Sequence, residues 1–155
     1  MKGKIIPILL VVSLLANGTL GYALVHQRNQ EESLEKGEAI REITFAVQRL
    51  EGCQKDWDTS EYTVAVAHLY AVCDHVQSLH NVDYWVTTEP FQTLWNVAAA
   101  YPEVIQANIN EVIAALSKLN TEECLTDEEI MGEFKAFTDD FRIKAAEAEI
   151  NRDHA

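Results

Sequence analysis

The N-terminal part of this sequence contains an uncharged stretch long enough to cross a membrane. Residues 5–25 are 21 amino acids without a charged side chain, and most of them are apolar. A helix of about 20 apolar residues spans the hydrocarbon core of a bilayer. Residues 1–4 form a basic flank with Lys2 and Lys4, and such a flank stays on the cytoplasmic side. The sequence therefore predicts a transmembrane helix that leaves residues 26–155 outside the cytoplasm.

The fate of this segment is open to two interpretations. A retained signal anchor makes the protein a single-pass membrane protein. The length of the segment favours the anchor, because the apolar region of a cleaved signal peptide has about 7 to 15 residues. The alternative is a secretory signal peptide cleaved near Ala23, since Gly21, Tyr22 and Ala23 form a small-x-small site. The domain that follows is then either tethered to the cell membrane or secreted.

The charge of the chain is strongly one-sided. The formal net charge is −13, and all 25 acidic residues lie at Glu31 or later. Such a surface repels the phosphates of nucleic acids and anionic lipid headgroups. We therefore expect no nucleic-acid binding, contact with the membrane only through residues 5–25, and another protein as the partner. The charge does not identify a small-molecule ligand.

Apolar residues recur at helical spacing along the rest of the chain. Four segments show this period, and nowhere does an alternating strand pattern exceed four residues. Asp58 and Thr126 open segments with the side chains that cap helix N-termini. Pro102 interrupts the third segment. The sequence thus predicts an all-α fold, in which the transmembrane or signal helix precedes an antiparallel four-helix bundle with a kinked or broken third helix.

The chain has three cysteines, and the predicted bundle brings two of them together. Cys53 lies in the first connection and Cys124 in the third, and these connections share one end of an up-down-up-down bundle. Cys73 lies further along the second helix. In an oxidising compartment this arrangement favours a disulfide between Cys53 and Cys124. The alternative is three independent, partly buried thiols.

The densest group of polar side chains lies along and just beyond the second helix. His68 and His75 are seven residues apart and share a helix face, and His80 and Asp83 follow. Imidazole and carboxylate groups bind zinc and other divalent cations. Their spacing matches neither the HExxH motif nor the ExxH pair of di-iron bundles. These residues are weak metal candidates, and a metal-dependent enzyme remains a further alternative.

Two aromatic residues, Tyr84 and Trp85, lie in the connection between the second and third segments rather than on an apolar seam. Such residues contact a partner or fold back over the core. The sequence has no nucleophile elbow and no glycine-rich phosphate loop. We therefore predict no catalytic residue and no cofactor. The predicted function is a membrane-anchored, extracytoplasmic helical bundle acting as a non-enzymatic binding or interaction module, with a secreted ligand-binding domain as the alternative.

Overall fold

The protein is helical throughout its described length. The computed structural model describes residues 5–79 and 83–153, with side chains from residue 17 to residue 152 within those ranges. Six α-helices are present in this part: α1, Ile5–Cys53; α2, Thr59–Gln77; α3, Glu89–Ala100; α4, Pro102–Ala107; α5, Ile109–Ser117; and α6, Glu128–Asp153. A π-helical turn, Tyr84–Thr88, precedes α3, and a 3-10 turn, Glu122–Thr126, precedes α6. The described residues contain no strand, so the predicted all-α class is confirmed.

The chain divides into two compact units, Met1–Leu34 and Glu35–Ala155. In the first unit the described side chains are almost all exposed. The side chain of Gln27 donates a hydrogen bond to the carboxylate of Glu31, which lies one helical turn further along α1. The predicted basic flank, residues 1–4, lies outside the described residues. Within the part of the chain that the structure describes, no helix combines the length and the apolar character needed to cross a membrane.

In the second unit, α2 runs antiparallel to the part of α1 that belongs to this unit. Three pairs of polar side chains join the two helices. From one pair to the next, the residue number increases on α1 and decreases on α2, as it does between antiparallel helices. We call this set the α1–α2 ladder; its pairs are Glu35 with His75, Glu42 with His68, and Arg49 with Glu61. Successive members are seven residues apart on both helices, which is two helical turns, so each helix presents one face to the other.

Helix α3 packs antiparallel to α2 on another side. The hydroxyl of Tyr62, near the start of α2, donates a hydrogen bond of 2.7 Å to the carbonyl oxygen of Ala98, near the end of α3. Further along, the rings of Tyr70 and Trp95 lie 5.2 Å apart between centroids. Burial raises the pKa of the Tyr62 phenol, with Glu103 adding to the effect, so the hydroxyl remains a donor.

Aspartate side chains cap the N-termini of two helices, α2 and α6. Asp58 caps α2 as predicted, because its carboxylate accepts hydrogen bonds from the amides of Ser60 and Glu61. The cap of α6 differs from the prediction by one residue. Asp127, rather than Thr126, accepts the amides of two residues in the first turn, at 3.0 Å each. The Thr126 hydroxyl instead donates to a carbonyl in the preceding 3-10 turn.

The third segment is interrupted more severely than a kink. Helix α3 ends at Ala100, and Tyr101 has φ −133° and ψ 63°, outside the helical region. A second interruption follows at Asn108. Helix α5 then runs antiparallel to α6, since Lys144 bonds to Asn108 at one end and Lys118 to Glu133 at the other. Helix α3 runs parallel to α6, because Glu89 pairs with Lys135 and the Tyr101 ring contacts Arg152. The chain therefore reverses direction around α4, which a single bent helix would not do.

One pair of phenylalanine rings joins α3 to α6, and further phenylalanines follow along α6. Phe91 of α3 packs on Phe134 of α6 with ring centroids 4.8 Å apart, and Phe137 packs on Phe141 at 4.6 Å. Phe91 and Phe141 are completely buried. Burying one such side chain stabilises a fold by about 1.5–3 kcal/mol. These rings, together with buried leucine, isoleucine and valine of the other helices, form one continuous core.

Candidate interaction surface on helices α2 and α3

The connection before α3 folds as a π-helical turn. The Asp83 carboxylate accepts a hydrogen bond of 2.8 Å from the amide of Trp85, and the Asp83 carbonyl accepts from Thr87. Thr87 and Thr88 face inward and are buried. Tyr84 and Trp85 face outward, and Trp85 is 67% exposed. A π-helical turn differs from the irregular connection predicted, and such turns are frequent at functional sites.

The outward rings of this turn are held in place by each other and by α3. Tyr84 and Trp85 contact edge to face, with centroids 5.4 Å apart. The Tyr84 hydroxyl donates a hydrogen bond of 2.7 Å to the Gln92 side chain. Trp85 contacts the Tyr84 ring on one side, and most of its own side chain remains exposed to solvent. It does not fold back over the core, which was the alternative for these two residues.

A second aromatic pair lies beside the first. Tyr70 of α2, which is 56% exposed, contacts the half-buried Trp95 of α3. Gln92 connects the two pairs. Its side chain accepts the hydrogen bond from Tyr84 and also lines a groove together with Tyr70 and Trp95. We call these five side chains, Tyr70, Tyr84, Trp85, Gln92 and Trp95, the aromatic surface.

The groove on the aromatic surface has a volume of about 180 Å³. Its lining includes the rings of Tyr70 and Trp95, which contact each other, and the buried residues Cys73 and Thr88. Asp74 and Gln77 complete its lining. Pockets for drug-sized ligands have volumes of about 300–1,000 Å³. The groove therefore has room for one side chain or a small head group rather than for a nucleotide or another large cofactor.

The groove has negative charge and no positive charge among its described lining residues. Asp74 is exposed and forms no ion pair with any described residue. The Cys73 thiol adds no charge to the groove. Burial raises the pKa of Cys73 to about 12, with Asp74 contributing, so almost no thiolate is present at neutral pH. The chemistry offered to a ligand thus consists of aromatic rings, one carboxylate and amide groups.

The two histidines singled out in the sequence are part of the α1–α2 ladder. Nδ1 of His68 lies 2.6 Å from the Glu42 carboxylate, and Nδ1 of His75 lies 2.7 Å from the Glu35 carboxylate. A carboxylate accepts hydrogen bonds, so the ring N–H of each histidine is the donor. The structure places both histidines on the face toward α1, but each has its own glutamate partner and they do not form one site.

The remaining metal candidates are His80 and Asp83. Asp83 caps the π-helical turn, and His80 lies outside the described residues. Among the residues that the structure describes, no group of three histidine, cysteine or acidic side chains is arranged to hold a metal ion. His68, His75 and Asp83 therefore have structural partners that the sequence did not identify, namely Glu42, Glu35 and the Trp85 amide.

The three cysteines are free and buried. Cys53 lies at the end of α1, where its thiol is 3.6 Å from the Asp58 carbonyl. Cys124 lies in the 3-10 turn before α6, 3.3 Å from the Thr121 hydroxyl. The neighbouring Glu122 approaches Gly37, since a Cβ added to that glycine would lie 3.5 Å from the Glu122 carboxylate.

This geometry does not bring Cys53 and Cys124 together. Helix rise separates Cys53 from Gly37 by about 24 Å along α1, whereas bridged cysteines have Cα atoms within about 7 Å. The chain reversal around α4 is the physical reason. It adds one more crossing of the molecule, so the connection with Cys124 lies at the end opposite to Cys53. The disulfide predicted from an up-down-up-down order is not supported by this arrangement.

Sequence reasoning identified part of the aromatic surface and missed the rest. It selected Tyr84 and Trp85 because they fall outside an apolar seam. Tyr70 could have been found in the same way, since it lies one residue after the buried Leu69 and therefore on another side of α2. The position of Gln92 beside Tyr84 depends on the π-helical turn, for which the sequence has no clear signal.

Comparisons with known proteins leave the site to be interpreted from its own chemistry. No protein-family model, no curated protein and no solved structure matches the chain.

Proposed function

We propose that this protein is a membrane-anchored, extracytoplasmic helical bundle that acts as a non-enzymatic protein-interaction module. In this proposal the aromatic surface is the contact site. The antiparallel pairs α1–α2, α2–α3 and α5–α6 form the bundle. Where the sequence predicts one kinked or broken third helix, the structure has three separate helices, α3, α4 and α5, and the chain reverses direction among them.

The observation that carries the proposal is the exposure of three aromatic rings on one side of the molecule. Trp85 is 67% exposed, Tyr70 56% and Tyr84 43%. Exposed apolar patches cost solubility and mark interaction sites in soluble domains. Tyrosine and tryptophan are also enriched in the centres of protein interfaces. The surrounding surface is acidic, so an aromatic patch is the part of it best suited to contact a protein.

The membrane location rests on the sequence of residues 5–25 alone. A C-terminal fusion to alkaline phosphatase, which is active only outside the cytoplasm, tests the topology. We expect an active phosphatase fusion and an inactive cytoplasmic reporter, and the reverse pattern would contradict the proposal. Sequencing the N-terminus of the mature protein distinguishes the anchor from cleavage near Ala23.

Photo-crosslinking in the cells that produce the protein tests the interaction role. A photoreactive amino acid is placed at Trp85 in one variant and at Ile143 in a control variant. Ile143 is a suitable control because it is 58% exposed and lies on α6, which contributes nothing to the aromatic surface. We expect one discrete protein adduct from Trp85 that weakens when Tyr70 is changed to alanine.

The control decides how such an adduct is interpreted. The same adducts from Trp85 and Ile143 would indicate random collision, and no adduct from Trp85 would leave the aromatic surface without a partner. Either result would remove the proposed contact site. An adduct specific to Trp85 and dependent on Tyr70 would support it, with the partner identified by mass spectrometry.

A further inference from the structure

The groove on the aromatic surface combines two features that together favour a cation. An aromatic ring attracts a cation that lies over its face within about 6 Å of the ring centroid, and Tyr70 and Trp95 both line the groove. Asp74 provides a full negative charge at the same groove, without a competing ion pair to another described residue. The two attractions act on the same small volume of about 180 Å³.

We infer that this groove binds the guanidinium group of an arginine side chain from a basic segment of a partner protein. The inference rests on the proposed interaction role and adds the chemistry of the partner. It draws on the charge complementarity between a basic segment and a chain whose net charge is −13.

The shape and polarity of the groove favour arginine over lysine. A guanidinium group is planar, stacks on aromatic rings and is less strongly hydrated than an ammonium group. Its five N–H donors need several acceptors, and the groove offers the Asp74 carboxylate and the Gln77 amide oxygen. Lysine would bring a compact, strongly hydrated charge that gains less from stacking on an aromatic ring.

The groove is also too small for most other occupants. A volume of about 180 Å³ accommodates a side chain rather than a helix or a cofactor. An acidic ligand is excluded by Asp74. A purely apolar side chain would leave the Asp74 carboxylate poorly solvated without a partner, which costs free energy.

The test uses the indole N–H signals of the full chain in detergent micelles, recorded by ¹H–¹⁵N NMR. The chain has three tryptophans. Trp95 reports on the groove, and Trp57 is an internal control because it packs against Tyr62 near the start of α2. The probe is a blocked pentapeptide with one arginine between serine and glycine residues. Matched peptides carry citrulline, which is isosteric and neutral, or lysine.

We expect the arginine peptide to shift the Trp95 signal in a saturable way and to leave Trp57 unchanged. The citrulline and lysine peptides should bind roughly fivefold or more weakly, as expected for the loss of about 1 kcal/mol. The variants Asp74→Asn and Tyr70→Leu should each weaken arginine binding by a similar factor. Both residues are exposed, so the fold should tolerate these changes.

The variant Asp56→Asn is the matched control for charge. Asp56 is exposed and lies in the connection between α1 and α2, so its removal changes the net charge but not the groove.

Three results would each overturn the inference. They are equal binding of the arginine and citrulline peptides, equal loss of binding in Asp56→Asn and Asp74→Asn, and no shift of the Trp95 signal. Equal binding of lysine would overturn the assignment to a guanidinium group. A specific adduct at Trp85 combined with no arginine binding would leave the interaction role standing and remove only this partner chemistry.

Discussion

The contact between α1 and α2 differs in character from the contact between α3 and α6. Buried residues of α1 and α2 include alanines such as Ala39 and Ala46 beside aliphatic side chains such as Leu50 and Leu69, and the polar α1–α2 ladder joins these helices. The α3–α6 contact contains phenylalanine rings instead. Large apolar side chains contribute most of the free energy of folding, whereas partly exposed ion pairs contribute little.

The difference indicates a division of roles between the two contacts. The ladder repeats every seven residues on both helices, so sliding one helix by a turn would separate every pair. Its value therefore lies in fixing the register of α1 on α2. The phenylalanine contact provides stability but tolerates small shifts better, because apolar contacts are not directional. Variants at the two contacts test this division through their effects on the free energy of unfolding.

The largest expected effect is that of Phe91→Ala. Phe91 is 1% exposed, and truncating a buried phenylalanine costs about 3–5 kcal/mol of the free energy of unfolding. The same truncation in Phe45→Ala should cost less than about 1 kcal/mol, because Phe45 is 40% exposed beside the ladder. Urea titration of the full chain measures both. Similar losses in the two variants would contradict the comparison.

The second prediction concerns the hydrogen bond between α2 and α3. Tyr62→Phe leaves the carbonyl of Ala98 without its buried donor, which should cost about 1–2 kcal/mol. Because burial raises the pKa of the Tyr62 phenol in the folded state, its contribution is complete below about pH 10 and is lost at higher pH. Wild type should therefore lose more stability than Tyr62→Phe when urea titrations at pH 7 and above pH 10 are compared. A parallel decline would show that the phenol is not the titrating group.

The third prediction is a smaller coupling within the ladder. A double-mutant cycle of Glu42→Ala and His68→Ala should give a coupling energy of roughly 0.5–1 kcal/mol at pH 6. The Arg49 and Glu61 pair is more exposed, so its cycle should give less. Coupling of several kcal/mol in either pair would mean that the ladder contributes stability as well as register.

The smallest expected effect is that of Trp85→Ala on stability. Its side chain is 67% exposed, so the free energy of unfolding should change by no more than about 0.5 kcal/mol. A loss of 2 kcal/mol or more in the same urea titration would assign Trp85 to the core rather than to the aromatic surface. The aromatic surface would then no longer include Trp85, and Tyr70 would be its most exposed ring.

Local sequence signals predicted the helices well where one residue decides the outcome. Asp58 caps α2 because its short carboxylate reaches two free amides, and this depends on few distant contacts. Pro102 interrupts the third segment because proline removes a backbone donor. The sequence could not show whether the chain bends or reverses there. That outcome depends on how α5 packs against α6, which is far away along the chain and which the hydrogen bond from Lys144 to Asn108 marks.

The candidate site shows the same limit. Tyr84 and Trp85 were singled out because their position outside an apolar seam is a local property, but the sequence left open whether they contact a partner or cover the core. The pairing of Tyr70 with Trp95 and the position of Asp74 at the same groove depend on how α2 packs on α3. The histidine spacing indicated a shared helix face, but only the packed helices identify the glutamates opposite.

The sequence by itself determined the uncharged segment at residues 5–25, the acidic surface, the all-α class and the start of α2. These properties depend on composition, on period and on contacts within a few residues. Tertiary structure alone decided the reversal around α4, the separation of Cys53 from Cys124 and the assembly of the aromatic surface. Each of these depends on which helix faces pack against each other. A periodic pattern of apolar residues indicates that one face of a helix is buried, but it does not indicate which other helix covers that face.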